Sequence, residues 1–202
     1  NPNIILKNKP LLSLEKIYFC SFFYSHRINY REKFFKQLNE YKKVNAPGKS
    51  MNNFISVDTP SLSRYQSKLN FLALHKFDIS FENYIHPGYC TEKIYGGLFA
   101  GTIPIYFGDP NFENSFLNKK AIVCAHDYIR PKNHTTVKFL ERKCLEDFKD
   151  YRPSFNNSLG DKIKRKLKFL GREYKMKLLT NNFDFKPLIN HIKEVDNNSD
   201  LY

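Results

Sequence analysis

The sequence predicts an α/β domain built on a mostly parallel sheet with helices on both faces, and three observations carry that prediction. Apolar runs of strand length alternate along the chain with segments whose apolar residues recur at helical spacing. Lys16 to Tyr24 (KIYFCSFFY) is apolar and aromatic almost throughout, the composition of a strand buried on both faces, as in a parallel sheet. Phe77 to Gly108 reads strand, loop, helix, strand, the βαβ unit whose crossover is right-handed almost without exception. The implied architecture is Rossmann-like.

The 202 residues are enough for one good core with a small appendage. With 41% hydrophobic residues, 19 Phe and 13 Tyr, the chain is too rich in apolar and aromatic groups for a disordered one. No apolar run approaches the roughly 20 residues of a membrane span. The chain opens in polar sequence without Met or a signal-peptide pattern, which predicts a fragment or a processed product. The formal net charge of +13 fits a nucleic acid, an anionic membrane surface or a phosphorylated small molecule. Cys20, Cys90, Cys124 and Cys144 are scattered without C-x-x-C spacing, which argues against a zinc site.

Taken in order, residues 1–15 read as a lead-in or linker, 16–160 as the Rossmann-like domain, and 161–202 as a basic helix with a polar tail. After the strand in Lys16 to Tyr24, Ser25 to Asn29 turn the chain. Arg31 to Tyr41 is a first helix, with Phe34, Phe35, Leu38 and Tyr41 on one side. Ala46 to Lys49 is a turn, and Arg64 to Lys76 a weaker helix leading into the strand Phe77 to Phe81. Pro87-Gly88 turns the chain again. Thr91 is a candidate N-cap, Glu92 suits the positive end of the helix dipole, and Ile94, Leu98 and Phe99 form the helix's apolar side. Strands are expected at Thr102 to Tyr106 and Ala121 to Ala125, and helices at Thr136 to Phe148 and Asp161 to Leu179. The tail after Phe185 is expected to fray.

Chemistry concentrates at the helix starts. Thr91-Glu92-Lys93 offers free backbone N–H groups and one ammonium, an arrangement that suits an anion and equally a simple capped helix. Arg31 stands at the start of the first helix. In a doubly wound sheet both helix starts lie on one rim, so Arg31 and Lys93 either grip a diphosphate from two sides or are solvated charges. Asn83 ends its strand where a side chain reaches that rim, to bind a sugar hydroxyl or cap a turn. Tyr89 either stacks on a ring or packs on Pro87. His26 and His86 are loop histidines with no partner in the pattern. No Walker A motif, Gly-rich dinucleotide fingerprint or Ser-His-Asp order is present.

Together, Phe81-Glu82-Asn83, Gly88-Tyr89-Cys90-Thr91-Glu92-Lys93 and Ala100-Gly101-Thr102-Ile103-Pro104-Ile105-Tyr106-Phe107-Gly108 closely resemble the signature of the α-1,3-fucosyltransferases of glycosyltransferase family 10. That signature runs F-E-N, G-Y-V-T-E-K and A-G-x-I-P-V-Y-W-G; Cys90 replaces the usual Val and Phe107 the usual Trp. Upstream, Phe19-Cys20-Ser21-Phe22, Arg31, Phe34-Phe35 and Asn52-Asn53 resemble bacterial members in order and spacing. The resemblance covers Ile17 to Val123.

The resemblance implies one half of a GT-B enzyme, the C-terminal domain that binds GDP-fucose. It implies that Arg31 and Lys93 neutralise the diphosphate, that Glu92 lies near the fucose, and that Asn83, Tyr89 and Thr91 line the nucleotide-sugar pocket. The implied reaction is inverting transfer of fucose to an N-acetyllactosamine-like glycan acceptor, with no cofactor and no bound divalent metal. The general base is expected in an N-terminal acceptor domain, so this chain is expected to bind donor and not to turn over alone. The basic helix resembles cationic segments that dock on a membrane; its alternative is a helix packed across the GT-B cleft. By resemblance the location is the cytoplasmic face of a bacterial inner membrane or a Golgi membrane. A nucleic-acid-binding module is disfavoured because the aromatics lie in strand-like apolar runs. Another nucleotide sugar, or a noncatalytic binder, remains as an alternative.

Overall fold

The computed structural model describes residues 15–55, 57, 61–85, 87–112, 117–131, 135, 136, 138, 139 and 158–198. It divides into two compact units, the chain up to Tyr128 together with Leu188 onward, and Ile129–Pro187.

The first unit is a βα alternation: β1 (Tyr18–Ser21), α1 (Asn29–Tyr41), β2 (Val44–Asn45), α2 (Arg64–Ala73), β3 (His75–Phe81), α3 (Glu92–Phe99), β4 (Ile103–Phe107) and β5 (Val123–Cys124), followed by a short α4 (Ala125–Tyr128). The five strands form one parallel sheet in the order β2-β1-β3-β4-β5. That order reverses direction between β1 and β3, so the crevice at their carboxyl ends is where such sheets take ligands. β1 is shorter than the apolar run that predicts it. Beyond Ser21 the chain leaves the ladder, with Phe22 N donating to Asn45 O at 2.9 Å. β2, two buried residues long, has no periodic signal and was not anticipated.

Side-chain alternation divides β3 between two environments. Phe77 and Phe81 face α1: Phe81 stacks on Phe34 at 4.7 Å, and Phe77 meets Phe19, which in turn meets Tyr41. Asp78, Ser80 and Glu82 face the other way, toward α3. A Cβ on Gly97 would stand only 3.7 Å from Asp78 Cβ and 3.0 Å from Pro104 Cγ, so α3 lies close on the sheet. Lys16 Nζ donates to Ala73 O (2.8 Å) and Ala100 O (3.2 Å), satisfying carbonyls at the ends of both α2 and α3.

Over residues 186–198 the fraying expected after Phe185 does not occur. Lys186–Asn197 is a helix, α6, with Leu188, Ile189, Ile192 and Val195 buried. Its end is held by Asp196, which accepts from Tyr41 Oη and Lys42 Nζ, both at 3.0 Å, while Lys76 Nζ donates to Val195 O and Asp196 O. Polar residues between the four apolar ones obscure a pattern that is helical in spacing.

In the second unit, β6 (Arg130–Pro131) pairs antiparallel with β7 (Phe183–Asp184), and α5 (Leu159–Asn181) is the basic helix. Its stripe of Ile163, Leu167, Leu170, Tyr174 and Leu178 is exposed. No helix among the described residues is long and apolar enough to cross a membrane. Apart from Thr136, Lys138 and Phe139, the helix expected over Thr136 to Phe148 lies outside the described residues, as does the lead-in except Glu15.

Candidate functional site

The carboxyl rim of β3 begins with a buried row of polar groups. Asp78 accepts from Ser21 Oγ (2.6 Å) and Ser80 Oγ (2.7 Å). Burial pushes the Asp78 carboxyl upward, against the opposing pull of Lys68 and the two hydroxyls. Two residues on, Glu82 is fully buried. Its backbone N–H still bonds Phe107 O at 2.8 Å, which keeps it in register beyond the strand's last residue.

Glu82 gathers the start of α3. Its carboxylate accepts from Thr91 N (2.7 Å), Thr91 Oγ1 (2.8 Å) and Lys93 Nζ (2.9 Å). Lys93 Nζ also donates to Thr91 Oγ1 at 2.7 Å. Thr91 occupies the N-cap position, with φ −117° and ψ −171°, yet its hydroxyl makes no capping bond to the helix. The expected cap is therefore corrected: the hydroxyl is committed to Glu82 and Lys93. Gly108 makes room for this arrangement, since a Cβ there would meet Glu82 Cγ at 2.4 Å and Tyr106 Oη at 2.7 Å.

Arg31, in the first turn of α1, is 1% exposed, which excludes a solvated first-turn charge. Its Nη1 donates to Asn83 Oδ1 (3.0 Å) and Phe81 O (3.3 Å), and its Nη2 to His26 O (3.0 Å). The guanidinium carbon lies 3.9 Å from the centroid of Tyr24, whose hydroxyl bonds Ile79 O and Phe81 O. Arg31 Nε is buried without a hydrogen-bond partner among the described residues. Tyr30 Oη donates to Glu82 O from the same helix turn. The residues after β1 thus fasten directly to those after β3.

Glu92 points outward, its side chain 69% exposed and its Oε1 3.8 Å from Lys93 Nζ. Partial burial pushes its carboxyl up, but its own backbone N–H, then Lys93, Lys68 and Thr91, pull harder and hold it below the usual carboxylate range. Tyr89 is half-buried and meets Tyr84 edge-on at 6.1 Å. Burial, then Glu82 and Tyr84, raise its phenol.

Of the residues expected at this rim, Arg31 and Asn83 touch, and Thr91 and Lys93 touch and share Glu82. Glu92 adjoins Lys93 and faces solvent, while Tyr89 meets Tyr84 edge-on. His26 contributes only its carbonyl, and His86 lies outside the described residues. Tyr24 and Tyr30 carry no sequence signal that ties them to this rim, and Glu82 enters only beside Asn83, in the Phe81-Glu82-Asn83 motif at the strand end. The signal for Glu82 was its place two residues beyond Ser80 on the polar face of β3. Among the described residues no cluster of three or more His, Cys, Asp or Glu side chains is placed to hold a metal ion.

A strand rim with the partly exposed Lys93 at a helix start, and Arg31 buried behind Asn83, suits an anion. The chain matches the family model "Glycosyltransferase family 10 (fucosyltransferase) C-term" over residues 15–156. It is 37% identical over 98 residues to the alpha-(1,3)-fucosyltransferase FucT of Helicobacter pylori, covering 48% of this chain and 19% of that one. It is 31% identical over 116 residues to GDP-fucose protein O-fucosyltransferase 3 of Xenopus tropicalis, covering 55% and 25%. A solved alpha1,3-fucosyltransferase with GDP-fucose matches with a TM-score of 0.50 and 28% identity, over 86% of this chain and 43% of that one. The chain therefore spans a quarter or less of these two relatives and under half of the solved protein.

Proposed function

Because the chain belongs to the fucosyltransferases of glycosyltransferase family 10, we propose that it is the donor-binding part of an enzyme that transfers L-fucose from GDP-fucose to a glycan hydroxyl, forming an α-1,3 linkage with inversion. The observation that supports this reading is the β1/β3 switch point, with Arg31 bonded to Asn83 at the start of α1 on one side and Lys93 bonded to Glu82 at the start of α3 on the other. In the transfer, the bond from the fucose anomeric carbon to the β-phosphate oxygen breaks and its electron pair leaves with GDP. The acceptor oxygen bonds that carbon and gives its proton to a base.

Lys93 and the N–H groups of α3 face the diphosphate and stabilise the charge that grows on it as the bond breaks. Arg31, whose two terminal nitrogens are bonded to Asn83 and two carbonyls, acts from beneath as a buried positive charge that also fixes Asn83. Glu92, ionised and solvent-facing, stands where a carboxylate favours the positive charge developing on the sugar. Asn83, Tyr89 and Thr91 line the nucleotide-sugar pocket. These groups supply the charge neutralisation a divalent metal provides elsewhere, so binding is expected to survive chelation. The base belongs to an acceptor domain N-terminal to this one, and the chain alone binds donor without turnover.

In this reading the sheet unit, which includes the helix from Leu188, belongs to the donor domain, and α5 is its basic appendage. The exposed apolar stripe of α5, with exposed Lys162, Lys166 and Lys177, fits an anionic membrane surface, at the cytoplasmic face of a bacterial inner membrane or at the Golgi. A second acceptor class, protein hydroxyls, is favoured by the likeness to a protein O-fucosyltransferase. Both readings share the donor.

Calorimetric titration with GDP-fucose, GDP-mannose and UDP-sugars tests the donor. Tightest binding of GDP-fucose, unchanged by a chelator, is expected. A clear preference for a UDP-sugar overturns the reading.

A further inference from the structure

Resting on the donor reading above, we propose that Glu82 is a positioning residue that sets the Lys93 ammonium in place before the diphosphate arrives. The two side chains are 2.9 Å apart, with Glu82 fully buried and Lys93 13% exposed.

A buried carboxylate costs more in lost hydration than it returns in stability unless it is richly bonded, and an apolar residue of similar volume commonly serves a core as well. Glu82 is richly bonded, and every polar contact of its carboxylate is with the start of α3: Thr91 N, Thr91 Oγ1 and Lys93 Nζ. Among the described residues no strand residue bonds it, in contrast to Asp78, whose partners Ser21 and Ser80 are both strand residues. Gly108 adds a second, independent observation. The residue just beyond β4 has no side chain, and a Cβ there would lie 2.4 Å from Glu82 Cγ. Both features keep a carboxylate under Lys93.

Lysine carries a flexible four-carbon stem, and ordering it upon binding costs rotamer freedom. Glu82 Oε2 and Thr91 Oγ1 take two of the three ammonium protons, at 2.9 and 2.7 Å, and so meet that cost in the folded protein. The remaining proton is the one available to a ligand in the crevice. A cation held in this way gains over a free one because nothing reorganises when the phosphate binds or when charge develops on it. Glu82 also cancels part of the attraction of Lys93. The balance of the two effects is the measurable quantity, and the inference is that positioning wins.

The test compares GDP with guanosine, which lacks the phosphates, using the full chain and ligand-observed NMR to read weak binding. The proteins are wild type, Glu82→Gln, Lys93→Met, the double variant and Thr91→Val. Glu82→Gln keeps shape and an acceptor for Thr91 N while removing the charge. Expected are a tenfold or greater loss of GDP affinity in Glu82→Gln, little change for guanosine, and no further loss when Glu82→Gln is added to Lys93→Met. Thr91→Val removes the second anchor and loses GDP affinity to a smaller degree; it carries the same comparison if Glu82→Gln does not fold. An equal loss for guanosine and GDP, additive losses in the double variant, or tighter GDP binding in Glu82→Gln overturns the proposal. The donor reading fails separately, if wild type does not bind GDP or if Lys93→Met leaves GDP affinity unchanged.

Discussion

Gly108 and Glu82 share one volume: a Cβ on the glycine would stand 2.4 Å from Cγ of the glutamate and 3.0 Å from its Cβ. Gly108→Ala must therefore move Glu82 or the Tyr106 hydroxyl. Overpacking of this kind costs about 1–3 kcal/mol. A fall of several degrees in the thermal midpoint is expected, together with weaker GDP binding. An unchanged midpoint would show that Glu82 has slack the geometry does not allow.

Arg31 is sandwiched between Tyr24 and three acceptors, two backbone carbonyls and Asn83. Lysine keeps the charge but not the planar fork, so Arg31→Lys leaves buried acceptors unpaired. Destabilisation of about 2–4 kcal/mol is expected from urea unfolding. Stability within a few tenths of wild type would mean that the guanidinium contacts are replaceable.

His75 gives the stability a pH dependence of definite sign. It is fully buried, bonded between Phe71 O (2.8 Å) and Asn45 Nδ2 (3.1 Å). Burial first, with a smaller push from Lys16 and against the Phe71 bond, brings its imidazole down to about 4 from 6.5. The unfolded chain therefore binds the extra proton between those values. This contribution is whole above about pH 6.5 and is lost as pH falls toward 4, for about 3 kcal/mol in all. Urea midpoints measured between pH 7 and 4.5 should fall less steeply in His75→Gln than in wild type. Equal slopes would remove His75 from the acid response.

Asp196 ties the C-terminal helix to the sheet unit through Tyr41, Lys42 and Lys76. The Lys42 end is half-exposed and contributes little, whereas Lys76 and Asp196 are largely buried. Asp196→Asn is expected to lower stability by about 1–3 kcal/mol, and Lys42→Ala by less than about 0.5. Equal effects would place the tie at the surface rather than at Lys76.

The sequence made the sheet and the rim legible, because parallel strands are continuous apolar runs and their helices begin at recognisable turns. Phe77 to Gly108 reads as the βαβ unit it is, and Arg31, Asn83, Thr91 and Lys93 fall on one rim. What stayed hidden depends on distance along the chain. Arg31 reads equally as a diphosphate contact and as a solvated charge until Tyr24, just beyond β1, and the Phe81 carbonyl at the end of β3 close over it. Thr91 reads as a cap because its competitor, Glu82, lies nine residues back across a loop. The helix from Lys186 was read as a fraying tail because its four core residues are separated by polar ones. Val44 and Asn45 form a strand only because β1 is beside them.

Hydrogen–deuterium exchange of the full chain with and without GDP-fucose locates the donor most directly. Protection is predicted in two stretches, around Arg31 at the start of α1 and from Glu82 through Lys93, with α6 unchanged. Donor binding that protects neither stretch would contradict a site at the β1/β3 crevice.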